Sequence, residues 1–285
     1  MWRRNFFAVW PSLFLVSLGL MMVIPTLPIY VEEKCGITDP DAVRVWAGLI
    51  YAVGPFTAAF AGPLWGALGD RTGRKAMVVR SSLAIAVCMA LLPLATSPEW
   101  MLAVRAVQGA FAGYVAPAIA LVAADVPAER HGRTIGRLQV ALATGTLAGP
   151  AVGQVVVEHF GRDAGFWGGG LFALVGALAV AVLAREDRSR LPAPTAPGVQ
   201  AMVRDVLRAP LPLLRHRVVL ALLALLFLLR LGQNMVEPFI ALWIRELGPL
   251  DALRHAGEDE ARAVERTTAL AFTMLAVAQL VCTPL

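Results

Sequence analysis

Eight stretches of apolar residues, each long enough for a helix to cross a bilayer, restrict the fold before any motif is considered. They run over roughly 6–30, 46–68, 77–96, 101–124, 136–157, 166–184, 218–244 and 267–285. A hydrocarbon layer takes about 20 residues of helix and tolerates no unpaired backbone polar group, so runs of this length read as spanning helices. Composition agrees. Charged residues make up 16% and mean hydropathy is +0.68, whereas soluble domains carry about 25% charged residues. The sequence predicts an all-α polytopic membrane protein. Its start, "MWRRNFF", is basic and then apolar like a leader. The run continues past Pro25 and Pro28 to Tyr30 with no small-residue cleavage site, so it reads as an uncleaved first span.

The connections alternate in charge. One side of the membrane receives 16 Lys/Arg against 6 Asp/Glu, the other 7 against 13. The positive-inside rule makes the Arg-rich side cytoplasmic, placing the N-terminus inside and the protein, multi-pass, in a plasma (inner) membrane. Tyr30, Trp46, Trp100, Trp167 and Trp243 fall at expected outer ends, where aromatic anchors belong. The net charge of +5 therefore belongs to loops and implies no nucleic-acid partner. Cys35, Cys88 and Cys282 are scattered, suggesting neither a disulfide framework nor a metal site.

The expected domains are a six-helix bundle over 1–184, a cytoplasmic linker over 185–217 and the start of a second bundle over 218–285. The linker opens Pro-rich, "REDRSRLPAPTAPG". It then places Val199, Met202, Val203, Val206 and Leu207 on one face, as in an amphipathic surface helix. "LGLMMVIPTLPIYV" (18–31) aligns without gaps on "LGQNMVEPFIALWI" (231–244), and 47–64 more weakly on 268–285. Spans seven and eight thus repeat spans one and two, a parallel repeat of the transporter type.

Three motifs stand on this scaffold. "GALGDRTGRK" (66–75) puts Asp70, Arg71, Arg74 and Lys75 between spans two and three, with Gly66 and Gly73 for a tight turn. Its plainer reading is a positive-inside stop signal, although topology needs neither an acid nor glycines. Asp125, ending span four, is a local candidate partner for Arg74. In span four, "RAVQG" (105–109) sets Arg105, Gln108 and Gly109 on one face. Arg105 lies only about 7–8 Å below Trp100, so snorkelling to the outer surface is an open alternative. In span five, "GTLAGPAVG" (145–153) repeats glycine at Gly145, Gly149 and Gly153 beside Pro150, which also suits ordinary close packing of helices.

These motifs, in these places, resemble the signatures of the major facilitator superfamily. The third resembles its twelve-helix bacterial drug:proton antiporter branch, apart from Gln154 where a second glycine is usual. The resemblance implies a conformational latch at 66–75, a proton-coupling role for Arg105 and a seal and pivot between halves at the glycine stripe. It also implies four further spans, so a truncated chain, or a non-functional fragment, is an expectation too.

Span seven carries the deepest polar stripe: Arg230, Gln233, Asn234 and Glu237 at i, i+3, i+4, i+7. An ionisable group at the midplane must pair or face water. Glu237 is the candidate proton-titrating or cation-binding carboxylate, with a purely structural pair, or an outer-end Glu hydrated from outside, as the alternative. The expected function is proton-coupled efflux of small amphipathic or drug-like molecules by alternating access, the alternative being proton-coupled uptake. The expected partners are a small-molecule substrate, protons and lipid, with no cofactor and no obligate protein partner. A membrane enzyme would need an acidic pair, intramembrane histidines or a nucleophile system. His131, His159, His216 and His255 fall in expected loops and no Asp lies inside a span, so no catalytic residue is assigned.

Overall fold

The computed structural model describes residues 1–24, 27–187, 216–236, 240–247, 263–264, 266–271 and 274. The linker 188–215, with the expected surface helix, lies outside them. Ten α-helices are described: α1 (Trp2–Met21), α2 (Leu27–Cys35), α3 (Pro40–Thr72), α4 (Arg74–Leu91), α5 (Pro98–Ala110), α6 (Val115–Ala123), α7 (His131–Phe160), α8 (Arg162–Leu183), α9 (Arg217–Val236) and α10 (Ile240–Leu247). Short 3-10 turns extend α4 over Leu92–Leu94 and lead into α7 over Ala128–Arg130. Among the described residues, six helical segments before residue 184 are long and apolar enough to cross a membrane.

Helix starts follow local chemistry. Asp39 accepts a hydrogen bond from the Asp41 backbone N–H (3.2 Å) and Pro40 takes the first helical position, so α3 begins six residues before its apolar run. Ser97 and Pro98 do the same for α5, Ser97 Oγ accepting from the Trp100 N–H at 3.3 Å.

Two expected spans are broken. Span one divides between α1 and α2, where Pro25 has no N–H to give a helix; Pro28 sits in the first turn of α2, where none is needed. Span four divides between α5 and α6. The break holds Gly113 at φ +101, the residue whose carbonyl a continuous helix would press against the ring of Pro117 four positions on. Tyr30 is not an interfacial anchor: it is 3% exposed, and its hydroxyl donates to Asp163 Oδ1 at 2.7 Å. His131 and His159 lie within α7 rather than in loops.

Helix α1 forms the centre of the bundle, packed between α7 and α8; α8 continues onto α4, and α3 lies along α5. Leu13, Val16, Met89, Leu138 and Phe166 fill the core. The α1–α8 crossing is close because Gly19 faces Gly169, and a Cβ on Gly19 would lie 2.5 Å from the Gly169 carbonyl oxygen.

Candidate functional site

Between α3 and α4, the expected multi-residue turn shrinks to one residue. Helix α3 runs through Gly66, Asp70 and Arg71 to Thr72, and α4 begins at Arg74, so Gly73 alone joins them, at φ +105. Gly66 is therefore helical and plays no part in the bend. A side chain at Gly73 would be strained, and its Cβ would lie 2.6 Å from Glu186 Oε2. The Glu186 carboxylate occupies that space to accept from the backbone N–H groups of Arg74 (2.7 Å) and Lys75 (3.0 Å). It caps the positive end of α4. The Arg74 guanidinium donates to the Ala120 carbonyl of α6 at 3.0 Å.

Lys75 serves the opposite kind of helix end. Its Nζ donates to the Ala184 carbonyl at 2.8 Å, just past α8, and Arg4 Nε donates to Leu183 at 2.6 Å. Asn5, 1% exposed, exchanges two hydrogen bonds of 2.8 Å with the backbone of Arg185. These side chains satisfy carbonyls that a helix end leaves open and place cations against its negative pole. Asp70, Arg74 and Asp125 border one cavity of about 360 Å³, together with Asn5 and Glu186. This end of the bundle thus ties α1, α3, α4, α6 and α8 together. Glu186, which the sequence reading left in the linker, closes the arrangement. The available signal was an acid directly after span six on an otherwise basic side.

In span four, Arg105 does not snorkel. It is 8% exposed, and its NH1 donates to Gln108 Oε1 at 2.7 Å inside the bundle. Arg105 Nε and Gln108 Nε2 are buried without a hydrogen-bond partner. The next turn is pressed onto α3, where a Cβ on Gly109 would overlap the Gly54 carbonyl and the Thr57 hydroxyl. The Thr57 hydroxyl lies 2.9 Å from the Ala106 carbonyl, and Trp65 Nε1 donates to the Ala110 carbonyl at 2.6 Å. Trp65 thereby satisfies an acceptor left open where α5 stops. Tyr114, at the far side of the break, meets the Ser17 hydroxyl of α1 at 2.9 Å.

The span-five glycines turn toward α1 in the same bundle. Added Cβ atoms on Gly145, Gly149 and Gly153 would collide with Phe14, Met21 and Met22 respectively. Pro150 is buried between them. One turn beyond, Gln154 Nε2 donates to Glu158 Oε1 at 3.0 Å, and Arg266 Nε donates to the same oxygen. At that end Val264 packs against Ile29, with Ile244 alongside. Arg230, Gln233 and Asn234 lie on α9, but their side chains, like the whole of Glu237, lie outside the described residues.

A bundle of bilayer-length helices with a buried cation and glycine-lined crossings defines a multi-pass membrane protein of the helical-bundle class. The chain belongs to the Major Facilitator Superfamily, whose model matches residues 9–285. The Multidrug resistance protein MdtG of Salmonella arizonae is 31% identical over 246 residues, covering 86% of this chain and 59% of that protein. MdtG of Escherichia fergusonii is 32% identical over 247 residues, covering 86% and 58%. The chain thus spans less than two thirds of the length of these curated relatives. Among solved structures, a D-xylose-proton symporter superposes with a TM-score of 0.67 over 97% of this chain and 67% of that one, at 14% identity. The human organic anion transporter MFSD10 gives 0.62 over 72% and 53%, at 21% identity. At such identities these two structures establish the fold alone.

Proposed function

We propose that this chain is a secondary transporter that exports small amphipathic or drug-like molecules in exchange for protons, by alternating access. In this reading residues 1–184 form the first half, 185–217 a cytoplasmic linker and 218–285 the beginning of the second half. The N-terminus is cytoplasmic, in keeping with the Arg-rich connections. The observation that carries coupling is the buried Arg105 guanidinium, held by an amide rather than a carboxylate. A fixed positive charge in a low-dielectric span lowers the proton affinity of an acid brought near it, and Glu237 is the acid we assign to that exchange. Outward direction rests on the similarity to multidrug resistance proteins.

The test is uptake of a cationic dye by everted membrane vesicles carrying this chain, with an imposed proton gradient. The reading expects gradient-driven accumulation, abolished by Arg105→Ala and by Glu237→Gln. It is overturned if vesicles with and without the chain accumulate equally, or if the proton gradient has no effect.

A further inference from the structure

Arg80, on α4, is a charged residue that neither the latch nor the coupling reading uses. Its three guanidinium nitrogens are buried and have no hydrogen-bond partner. The group lies over Trp65, 3.5 Å from the ring centroid, with Phe111, packed beside Trp65, 5.9 Å away. Trp65 is held in place by its own bond to Ala110 and by its tilted contact with Phe111. The ring face attracts the cation but takes none of its five N–H donors, so the hydrogen-bonding capacity of Arg80 is unspent.

Beside it runs a groove. A cavity of about 1180 Å³ runs along α4 from Lys75 to Ala84 and is lined as well by Thr72 at the end of α3, by Phe111 and by Ala181. Its apolar wall includes Val79, Leu83 and Ala84; its inner rim carries Lys75, Arg80 and Arg185. Two acids, Glu186 and Asp187, also line the rim. Glu186 is committed to the α4 backbone. Ala76, Arg80, Leu83 and Val87 follow one helix face, and Leu83 and Val87 are exposed on a helix of bilayer length. An exposed apolar stripe on a spanning helix is a surface suited to acyl chains. Arg80 sits six residues, about 9 Å, along the axis from Arg74 at the cytoplasmic surface.

We infer that this groove binds a phospholipid of the inner leaflet, its phosphate taken by Arg80 with Lys75 at the rim and its acyl chains lying on Val79, Leu83 and Ala84. A guanidinium fork matches phosphate oxygens in pairs, and the surrounding low dielectric strengthens the bond. Rotation about the last bonds of Arg80 carries the fork from the Trp65 face into the groove, which the same side chain already borders. The site recognises a phosphomonoester or phosphodiester anion, and the apolar wall selects a lipid over a free anion.

The experiment is native mass spectrometry of the purified full chain in detergent, offered phosphatidylglycerol, diacylglycerol with the same chains, or inorganic phosphate. The expected result is retention of one phosphatidylglycerol and little diacylglycerol. Arg80→Gln should lower retention about tenfold, the factor given by losing ~1.4 kcal/mol of charge-assisted hydrogen bonding. Arg80→Lys keeps the charge and the stem, so it separates lost binding from lost folding; it should retain the lipid at an intermediate level. Equal retention by wild type and both variants overturns the assignment, as does diacylglycerol retained as well as phosphatidylglycerol. Binding of inorganic phosphate as tight as that of the lipid overturns it in favour of a free-anion site.

Discussion

Gly73 has two reasons to be glycine, and they are linked through Glu186. The backbone there combines φ +105 with ψ 143, a region essentially restricted to glycine, and the Glu186 carboxylate occupies the space a Cβ would take. Forcing an L side chain into such a conformation costs about 1–3 kcal/mol. Gly73→Ala should therefore lower thermal stability in detergent, and it should also push Glu186 off the Arg74 and Lys75 amides. Glu186→Gln keeps the shape and loses the charge, at about 1 kcal/mol. Because both act on one contact, Gly73→Ala combined with Glu186→Ala should destabilise by clearly less than the sum of the two singles. Additive effects in a thermal-unfolding cycle would show the two residues to be independent.

At the scale of helices, the α1–α7 crossing is made by the side chains that are missing. Gly145, Gly149 and Gly153 recur every fourth residue, drift slowly around α7, and meet the α1 backbone from Phe14 to Met22. Gly149→Ala overfills this crossing and should cost about 1–3 kcal/mol. Gly136→Ala on the same helix meets nothing within 4 Å, and should be neutral or stabilising by up to about 1 kcal/mol. Comparing the unfolding midpoints of the two variants checks this; equal losses would remove the crossing as the cause. The helices themselves were legible in the sequence, because bilayer length and Asp-Pro or Ser-Pro starts are local signals. The break in span four was written locally too, in Gly113 and Pro117, but a hydropathy run does not register it. Glu186, Asn5 and Arg80 could not be assigned from the sequence. Their partners lie on other helices, and a polar residue near a span end looks the same whether it caps a neighbour or faces water. The same limit applied to Arg105, where distance below Trp100 left snorkelling open until Gln108 was seen to hold it.

For the whole molecule, the described contacts bring the Phe160 end of α7 and the first turn of α2 against residues 244, 264 and 266. Glu158 on α7 takes hydrogen bonds from Gln154 and from Arg266, and Val264 packs on Ile29 beside Ile244 of α10. Gln154 stands where the resembling motif ends in a second glycine, so the position that departs from the motif is also the one that orients Glu158. With their side chains about one-fifth exposed, Arg266 and Glu158 form a partly screened pair, worth about 1 kcal/mol. On the proposed alternating-access reading, such a clasp would hold that side shut while two halves rock about a midplane. Arg266→Glu should release it, and amides in 266–271 should then exchange with deuterium about fivefold faster, the factor that about 1 kcal/mol of local opening gives. The charge-swapped pair Glu158→Arg with Arg266→Glu should bring exchange back toward the wild-type rate. Gln154→Gly should speed it by a smaller factor, since the ion pair persists without its orienting amide. If exchange in 266–271 is unchanged in Arg266→Glu, the clasp contributes nothing to closure and the outer contact rests on Val264, Ile29 and Ile244 alone.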